Sequence, residues 1–539
     1  MTILNEFTIN PTTFLIVSVT CSALNRCLIV KRLLLYGTLF LPICYILSLA
    51  LAYTNTEEDE DKYFVYATTQ SDDDTEQDLD EGEEEVILKP ILKNNSGLKV
   101  EEVTAGLDFP ASTAFLGPDD ILVLEKNEGT VRRIINGVLL ERPLLNVDVA
   151  TEGERGMLGI AIAQDSAIEG NHNNNNNNGH ITYVFLYYTE SADEDSDEGD
   201  EALHNRLYRY ELDENNQELV DPKLLLDFPA TPGRTHNGGK IVIGPDNNLY
   251  VSIGDVGEHD ASNPSNIINV QDGPDPDGRA GILRVTQDGN IVKGIDEGGS
   301  NESYESGILG NEYPIDLYYA YGIRNSFGMD FDPLTGKLWD VETGRNFGEE
   351  INLVEPGFNS GWMKAQGIWE LDEMRRAKGI ASPNDDSFMS QLVDFNGRGQ
   401  YSSPEFTWGK MPVTTSGMAF FHSDRLGKQY EHDLFVGEFV GGMIFDFNLN
   451  EDRIQLSFDD KGSLEDKVAN GAEELEEVIF GYGFGGITDI KIGPYDGYLY
   501  VLSLDRGRDE CKPQYPDRAC IPYSSTVEGH IFRIIPAAT

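Results

Sequence analysis

The feature that most constrains the fold is a strand theme that recurs from about residue 97 to the end of the chain. In each occurrence a turn, often Gly-Pro-Asp or Asp-Pro, is followed by an alternating strand, a Gly-rich turn and a further strand. Apolar alternation with a period of two is typical of a β-strand, and Gly, Asn and Asp mark the turns between strands. The theme occurs six times, at residues 116–134, 179–212, 243–285, 331–344, 433–447 and 492–534.

Six such units predict an all-β protein of a particular kind. The units are too far apart for a solenoid of short repeats, but they fit a radial array of small antiparallel sheets with long loops between them. The 55 Gly, 24 Tyr and 25 Phe residues also favour a turn-rich β protein. We therefore expect residues 97–539 to form a six-bladed β-propeller of four-stranded antiparallel blades.

Charge excludes one class of partner and marks a boundary. With 40 Lys and Arg against 93 Asp and Glu, the net charge is −53, so the chain lacks the clustered cations that a nucleic-acid backbone requires. Residues 54–86 contain 15 acidic residues and one Lys. Such a stretch cannot bury enough apolar surface to offset its chain entropy, which predicts an acidic disordered linker over 54–96.

The first 53 residues contain an apolar segment without charge, Leu33–Tyr53, which is long enough to cross a bilayer. Basic residues precede it and the acidic run follows, a pattern that favours a cytoplasmic N-terminus. Ala50-Leu51-Ala52 also resembles a signal-peptidase site, so a cleaved signal peptide and a retained anchor both stay open. Either alternative predicts an extracellular body, secreted or anchored, that meets the membrane only through this segment.

Cysteine usage agrees with an oxidising compartment. Three of the five cysteines belong to the N-terminal segment, and the body keeps only Cys511 and Cys520 in a polar stretch. The simplest interpretation is one disulfide that closes a surface loop.

One histidine stands out as a candidate for catalysis. His236 lies in the Gly-rich stretch PGRTHNGGK (232–240), immediately before the strand IVIGPDNNLYVSIGD. Loops of this kind converge at the axial mouth of a propeller, and an imidazole can accept a proton near neutral pH, as a general base must. The alternative is a histidine that only hydrogen-bonds its own loop.

These residues carry a family resemblance. The run GRTHNGGKIVIGPDNNLYVSIGD, followed by GRAGILRV, YGIRNSFGMDFDPLTGKLWDVETGRNFGEEINL and GITDIKIGPYDGYLYVLSLDRG, resembles the glucose/sorbosone dehydrogenase family over about residues 97–536. RGMLGIAI at 155–162 also suits that family. The resemblance implies a soluble six-bladed quinoprotein that binds pyrroloquinoline quinone (PQQ) with calcium and oxidises aldose sugars.

The resemblance also implies roles for individual residues. His236 stands where the family has its general base, and the backbone carbonyls of Gly344 and Arg345 stand where the calcium of the cofactor is bound. Glu350 matches a carboxylate ligand of a second calcium, in line with the preference of this cation for oxygen ligands. The positions implied to bind the cofactor are Arg324, Asn325, Thr343 and Gly344.

Three positions depart from the family pattern. Val440 stands in place of a Lys, and Gly486 and Thr488 stand in place of two Arg residues. In the family these cations pair with the carboxylates of PQQ, and charge-assisted hydrogen bonds of this kind contribute about 1.5–3 kcal/mol each.

The sequence therefore predicts an exported oxidoreductase that acts on a small sugar and passes electrons to an unknown acceptor. A second hypothesis is a non-catalytic propeller that binds a glycan or a protein at the cell surface after losing the PQQ-binding cations. A third is a calcium-dependent lactonase. The fold is compatible with all three, because function depends on the site.

Overall fold

The structure is a computed structural model. It describes residues 89–164, 181–192, 202–257, 265–292, 307–345, 348–368, 386–409, 413–458, 462–505 and 528–537. The apolar segment Leu33–Tyr53, the acidic run 54–86 and the predicted Cys511–Cys520 pair lie outside these residues. Within them, no helix has the length and apolar character to cross a membrane.

The described residues form six separate sheets, and the innermost strand of each sheet contacts that of the next. The last innermost strand contacts the first, so the sheets close into a ring. The all-β propeller class predicted from the sequence is confirmed, and each of the six repeated units falls in a different sheet. With strands numbered along the chain, the innermost strands in ring order are β3 (Pro110–Gly117), β8 (Met157–Gln164), β12 (Ile241–Ile243), β16 (Ser326–Phe331), β22 (Thr415–Phe420) and β27 (Gly486–Ile492).

The first three sheets in ring order continue outward from these strands. Sheet 1 adds β4 (Asp120–Glu125), β5 (Thr130–Ile135), β6 (Val138–Leu139) and β7 (Leu145–Asn146). Sheet 2 adds β9 (Thr182–Ser191), β10 (Ala202–Asp213) and β11 (Glu218–Pro229). Sheet 3 adds β13 (Leu249–Ile253), β14 (Gly281–Val285), β15 (Tyr318–Tyr321), β19 (Phe358–Asn359) and β20 (Gln400–Tyr401).

The other three sheets recruit strands from distant parts of the chain. Sheet 4 adds β17 (Leu338–Glu342), β18 (Glu349–Val354), β21 (Phe406–Trp408) and β25 (Val468–Ala469). Sheet 5 adds β23 (Leu434–Glu438), β24 (Ile444–Phe447), β26 (Ile479–Tyr482) and β1 (Ile91–Leu92). Sheet 6 adds β28 (Leu499–Leu504), β29 (Glu528–Pro536) and β2 (Leu98–Asp108).

Two details of the predicted architecture are wrong. Only sheets 2 and 6 have four strands, because short strands from the long loops extend the others to five or six. The predicted start of the propeller at residue 97 also misses β1, which pairs with β26 although it lies inside the stretch assigned to the linker. A two-residue strand is too short to show an alternating pattern.

Pairing of the two ends of the described chain stabilises the ring. Strand β2 pairs antiparallel with β29, so sheet 6 contains both early and late residues. The central strands β13, β17, β23 and β28 are buried along their whole lengths, because neighbouring sheets cover both of their faces. Large side chains such as Trp339 and Trp408 are wholly buried, and each such side chain contributes about 1.5–3 kcal/mol through its burial.

Helices contribute little to the described part of the chain. Two single-turn α-helices occur, α1 (Asp386–Met389) and α2 (Ala472–Leu475). Short 3₁₀ helices cover Asn266–Ile268, Ile315–Leu317, Lys428–Tyr430 and Gly462–Leu464.

Candidate active site

His236 lies in the loop between β11 and β12, with its side chain pointing into a buried position. Its backbone φ is 60°, in the left-handed region that a residue with a Cβ seldom adopts outside strained or functional sites. Gly254 makes this loop position possible, since a Cβ there would lie 2.4 Å from the His236 carbonyl oxygen and 2.7 Å from that of Arg324. The end of β13 therefore brings the His236 and Arg324 loops together.

Asp255 orients the His236 ring. The Nδ1 atom of His236 lies 2.6 Å from Oδ1 of Asp255, and Trp362 Nε1 donates to Oδ2 of the same carboxylate at 2.8 Å. Burial by itself would raise the pKa of Asp255, but the hydrogen bonds with His236 and Trp362 and the nearby charge of Arg324 oppose it, and the pKa lies below its ordinary value. An ionised Asp255 accepts the Nδ1 proton, which leaves Nε2 of His236 as the ring atom that can accept a proton.

Glu154 holds the two loops in register. Its Oε2 atom accepts hydrogen bonds from the backbone N–H of His236 at 2.6 Å and from Nδ2 of Asn325 at 3.0 Å. Asn325 Oδ1 in turn accepts a hydrogen bond from Gly238 N at 3.2 Å. One carboxylate thus fixes both the general-base candidate and the asparagine that the resemblance implies as a cofactor ligand.

Arg324 is a buried cation beside this pair. Its backbone N–H donates to Glu342 Oε1 at 2.6 Å, and its Nη1 donates to the Thr343 carbonyl oxygen at 2.9 Å. The guanidinium lies over the Trp362 ring at 5.6 Å from the ring centroid, and its buried Nε has no hydrogen-bond partner among the described residues. Burial lowers the pKa of Arg324, and the neighbouring carboxylates, Asp255 first among them, oppose that change.

The ends of sheets 4 and 5 complete the group of residues around His236 and Arg324, here called the pocket. Thr343 donates its backbone N–H to the Asn325 carbonyl oxygen at 2.9 Å, and Gly344 and Arg345 follow it directly. Thr343 Oγ1 reaches the Thr415 carbonyl oxygen at 3.4 Å. The structure therefore brings His236, Arg324, Asn325 and Thr343 to one place, with the Gly344–Arg345 backbone next to it.

A row of buried carboxylates, here called the carboxylate face, lies on sheet 4 below Arg324. It consists of Asp340 and Glu342 on β17 and Glu350 on β18, with Glu342 directly opposite Glu350 in the strand register. Ser360 Oγ donates to Glu342 Oε2 at 2.6 Å and lies 3.3 Å from Glu350 Oε2.

Burial governs the protonation of this face. It raises the pKa of Asp340 and that of Glu350 to about 7 each, and raises that of Glu342 further, with the charge of Glu350 adding to the effect. Both oxygens of Asp340 are without a hydrogen-bond partner among the described residues. Uncompensated carboxylates of this kind suit a hard cation such as calcium.

The donor set for calcium is incomplete in side chains alone. Among the residues that the structure describes, no three His, Cys, Asp or Glu side chains are grouped closely enough to hold a metal ion. A calcium ion on the carboxylate face would therefore need backbone carbonyl or water oxygens in addition to the carboxylate of Glu350.

Among the described residues, the three positions that depart from the family pattern do not fit PQQ. Val440 and Thr488 are half-buried and Gly486 is buried, and none of the three offers a cation to a carboxylate. Lys491, which lies on the same strand as Thr488, interacts instead with Asp489 in the propeller axis. The end of the pocket that would receive the carboxylates of PQQ thus lacks its counter-charges within the described residues.

Four important neighbours, three acidic residues and one tryptophan, were missed by sequence reasoning. Asp255 ends the quoted strand segment VSIGD, Glu154 directly precedes RGMLGIAI, and Glu342 lies in WDVETG. Each of these three acidic residues lies in or next to a motif of the family resemblance. An acidic residue at a strand end or in a loop of such a motif was therefore the signal that could have identified it. Trp362 belongs to GFNSGW, where its indole gave no chemical signal.

Comparisons with known proteins agree with this architecture. Over 415 residues the chain is 26% identical to the aldose sugar dehydrogenase YliI of Escherichia coli strain K12, covering 75% of this chain and 90% of that protein. It also superposes on the soluble aldose sugar dehydrogenase of Escherichia coli in its apo form, with a TM-score of 0.53, 22% identity and coverage of 82% of this chain and 100% of that one.

A further solved structure shares the fold. The PQQ-bound aldose sugar dehydrogenase of Streptomyces coelicolor superposes with a TM-score of 0.50 at 21% identity, covering 83% of this chain and 100% of that one. A family model described as Glucose / Sorbosone dehydrogenase matches residues 107–509. The resemblance found in the sequence is thus confirmed, and the chain belongs to the glucose/sorbosone dehydrogenase family.

Proposed function

We propose that this chain is an oxidoreductase that oxidises the anomeric carbon of an aldose sugar to a lactone. The observation that carries the proposal is the His236–Asp255 pair at 2.6 Å, which leaves His236 Nε2 as a proton acceptor beside the buried cation Arg324. Oxidation of a hemiacetal releases one proton and one hydride from the same C–OH unit. A base and an electrophilic group in a single pocket serve that chemistry.

The residues of the chain divide the work. His236 Nε2 accepts the proton of the anomeric hydroxyl, while Asp255 stabilises the imidazolium that forms. Arg324 Nε, which lacks a partner among the described residues, donates to an oxygen of the substrate or of the hydride acceptor. Glu154 and Asn325 keep the two loops at the spacing that this transfer requires.

Calcium is the metal that fits the carboxylate face. Glu342 and Glu350 would hold it there, together with backbone carbonyl or water oxygens, and its charge would keep these buried carboxylates ionised. PQQ is the cofactor that the family implies. The replaced positions Val440, Gly486 and Thr488 argue against it, because none of them supplies a cation for its carboxylates.

The test is sugar oxidation by the full chain supplied with calcium and a quinone, either PQQ or an uncharged benzoquinone, with lactone as the measured product. Changing His236→Ala should abolish lactone formation with any acceptor that works for the unaltered chain. The matched control is His204→Ala, which breaks a second His–Asp pair, with Asp227, on the solvent side of sheet 2. Absence of oxidation with every acceptor, or equal activity of the His236→Ala variant, would refute the proposal.

The missing cations favour a second candidate, a non-catalytic propeller that binds a glycan at the cell surface. It predicts sugar binding without turnover, and calorimetric titration of the full chain with aldoses and oligosaccharides distinguishes it from the enzyme.

We also propose that the body is exported through Leu33–Tyr53, whose apolar character supports the proposal. Fractionation of expressing cells into medium, membrane and cytosol, followed by N-terminal sequencing, separates a secreted form from an anchored one. Recovery in the cytosol alone would refute export.

A further inference from the structure

Arg324 is a buried cation surrounded by carboxyl groups. Four carboxyl groups interact electrostatically with this guanidinium: Asp255, Glu154, Glu342 and Glu349. A ligand with several carboxylates would therefore find the positive charge of Arg324 already engaged by groups of the chain itself.

The second buried cation near the pocket is already engaged. Lys126 Nζ donates to the Gly153 carbonyl oxygen at 3.1 Å and to Asn127 Oδ1 at 3.0 Å, and its charge is felt by Glu154. Lys126 therefore compensates the charge of Glu154, and its ammonium group is already hydrogen-bonded to the protein.

The side of the pocket formed by sheets 5 and 6 adds a further carboxyl group and no cation among the described residues that line it. Glu438, at the end of β23, is wholly buried and accepts a hydrogen bond from Gly441 N in the turn that contains Val440. A Cβ on Gly442 would lie 2.4 Å from the Gly485 carbonyl oxygen, so this turn lies directly against the start of β27, where Gly486 and Thr488 occur.

The unused polar atoms of the pocket suit a neutral ligand. Three buried atoms lack a hydrogen-bond partner among the described residues: Arg324 Nε, Glu349 Oε2 and Thr415 Oγ1. Unsatisfied buried polar atoms are costly, so they are expected to meet a ligand or water. One guanidinium donor, one hydroxyl and one carboxyl oxygen match carbonyl and hydroxyl groups better than a set of carboxylates.

We propose that this pocket takes an uncharged quinone as its hydride acceptor and discriminates against the polycarboxylate quinone of its family. The proposal rests on the proposed sugar oxidation and names its oxidant by class. The hydride of the anomeric carbon passes to the quinone, and the hydroxyl proton passes to His236. His236 then returns that proton to the reduced quinone, so that one sugar and one quinone give one lactone and one hydroquinone.

The decisive comparison is between PQQ and its trimethyl ester, which carry the same quinone with and without three carboxylates. Fluorescence titration of the full chain with calcium should show the ester bound at least as tightly as the acid. Tighter binding of PQQ than of the ester overturns the inference while leaving sugar oxidation standing. Binding of neither quinone also overturns the inference, whereas absence of lactone with every acceptor refutes the proposed function instead.

Restoring the cations gives an independent arm. The double variant Val440→Lys with Thr488→Arg should raise the affinity for PQQ by roughly ten- to hundredfold per restored pair and leave the ester unaffected. Val138→Lys is the matched control, because Val138 is 63% exposed on the outer part of sheet 1. No gain in PQQ affinity from the double variant, or an equal gain from the control, would contradict the charge argument.

Discussion

Lys240 and Asp489 place buried charges of opposite sign in the propeller axis, whereas the carboxylate face of sheet 4 holds buried charges of one sign only. The Lys240 Nζ atom lies 2.5 Å from Asp489 Oδ1, and Ser112 Oγ donates to the other oxygen of Asp489 at 2.9 Å. On the carboxylate face, Glu342 and Glu350 lie opposite each other without a described cation between them.

The axial pair and the carboxylate face differ in how their buried charges are balanced, and this difference indicates different roles. Burial alone would raise the pKa of Asp489, but Lys240 outweighs it and keeps the carboxylate ionised, so this pair is complete within the protein and links sheets 3 and 6. Burial raises the pKa values of Asp340 and Glu350, since neither has a cation to oppose it. We infer that the axial pair fixes the ring, while the carboxylate face depends on a bound cation.

The largest expected effect comes from breaking the axial pair. Lys240→Met leaves the buried carboxylate of Asp489 without its hydrogen-bonded cation, which should lower the free energy of unfolding by about 3–5 kcal/mol. Chemical denaturation measures the change. Lys337→Met is the control, because Lys337 pairs with Glu355 at the surface and should lose less than about 1 kcal/mol. Equal losses in the two variants would show that the axial pair is not special.

A pH series should reveal the opposite behaviour of the carboxylate face. The pKa of Asp340 is raised to about 7 in the folded state, so its contribution to stability is present below its unfolded pKa near 3.8 and is lost as the pH rises towards 7. Without calcium, the free energy of unfolding should therefore fall across this window, and Asp340→Asn should remove about 3–4 kcal/mol of that fall. An unchanged pH profile in Asp340→Asn would contradict the assignment.

Calcium should reverse that loss. At pH 8 Asp340 and Glu350 are above their raised pKa values, and calcium at a hundred times its Kd should stabilise the fold by about 2.7 kcal/mol, an effect that a chelator removes. Thermal unfolding with and without calcium measures it, and the gain should shrink at pH 5, where the carboxylates are protonated. Glu350→Gln should lose most of the gain, while Glu355→Gln, on an exposed residue of the same sheet region, should keep it.

The sequence predicted the ring better than it predicted the charges inside it. Each alternating unit became part of one sheet, because strand periodicity is a local property of the chain. The added strands β19, β20 and β25 were not predicted, since two-residue strands have no period to detect.

The carboxylate face was hidden by the same periodicity. Asp340 and Glu342 are two positions apart on β17, a spacing that usually indicates a solvent-exposed side of a sheet. In a closed ring of sheets both sides of a central strand are covered, so these acids became buried. Burial of this kind depends on the neighbouring sheet and is not encoded in the strand itself. Arg324 and Asn325 were predictable only because the family motifs pointed to them, whereas His236 also stood out through its Gly-rich loop before a strand.

The smallest expected effect concerns Glu154. Its charge is balanced by Lys126, and its Oε2 atom accepts two hydrogen bonds. Glu154→Gln retains a carbonyl oxygen able to accept from His236 N and Asn325 Nδ2, but it loses the charge that strengthens both bonds. We expect a loss of about 1 kcal/mol in the free energy of unfolding, measured by chemical denaturation.

Glu152→Gln provides the control for that measurement, since Glu152 lies two residues away on the same loop and pairs with Arg234 at the surface. A gain in stability for Glu154→Gln would mean that the charge of Glu154 is not balanced by Lys126. Glu154 would then belong with the carboxylates of the carboxylate face. A loss larger than that caused by Glu152→Gln instead assigns Glu154 to the balanced part of the molecule, because only a compensated carboxylate stabilises the fold through its charge.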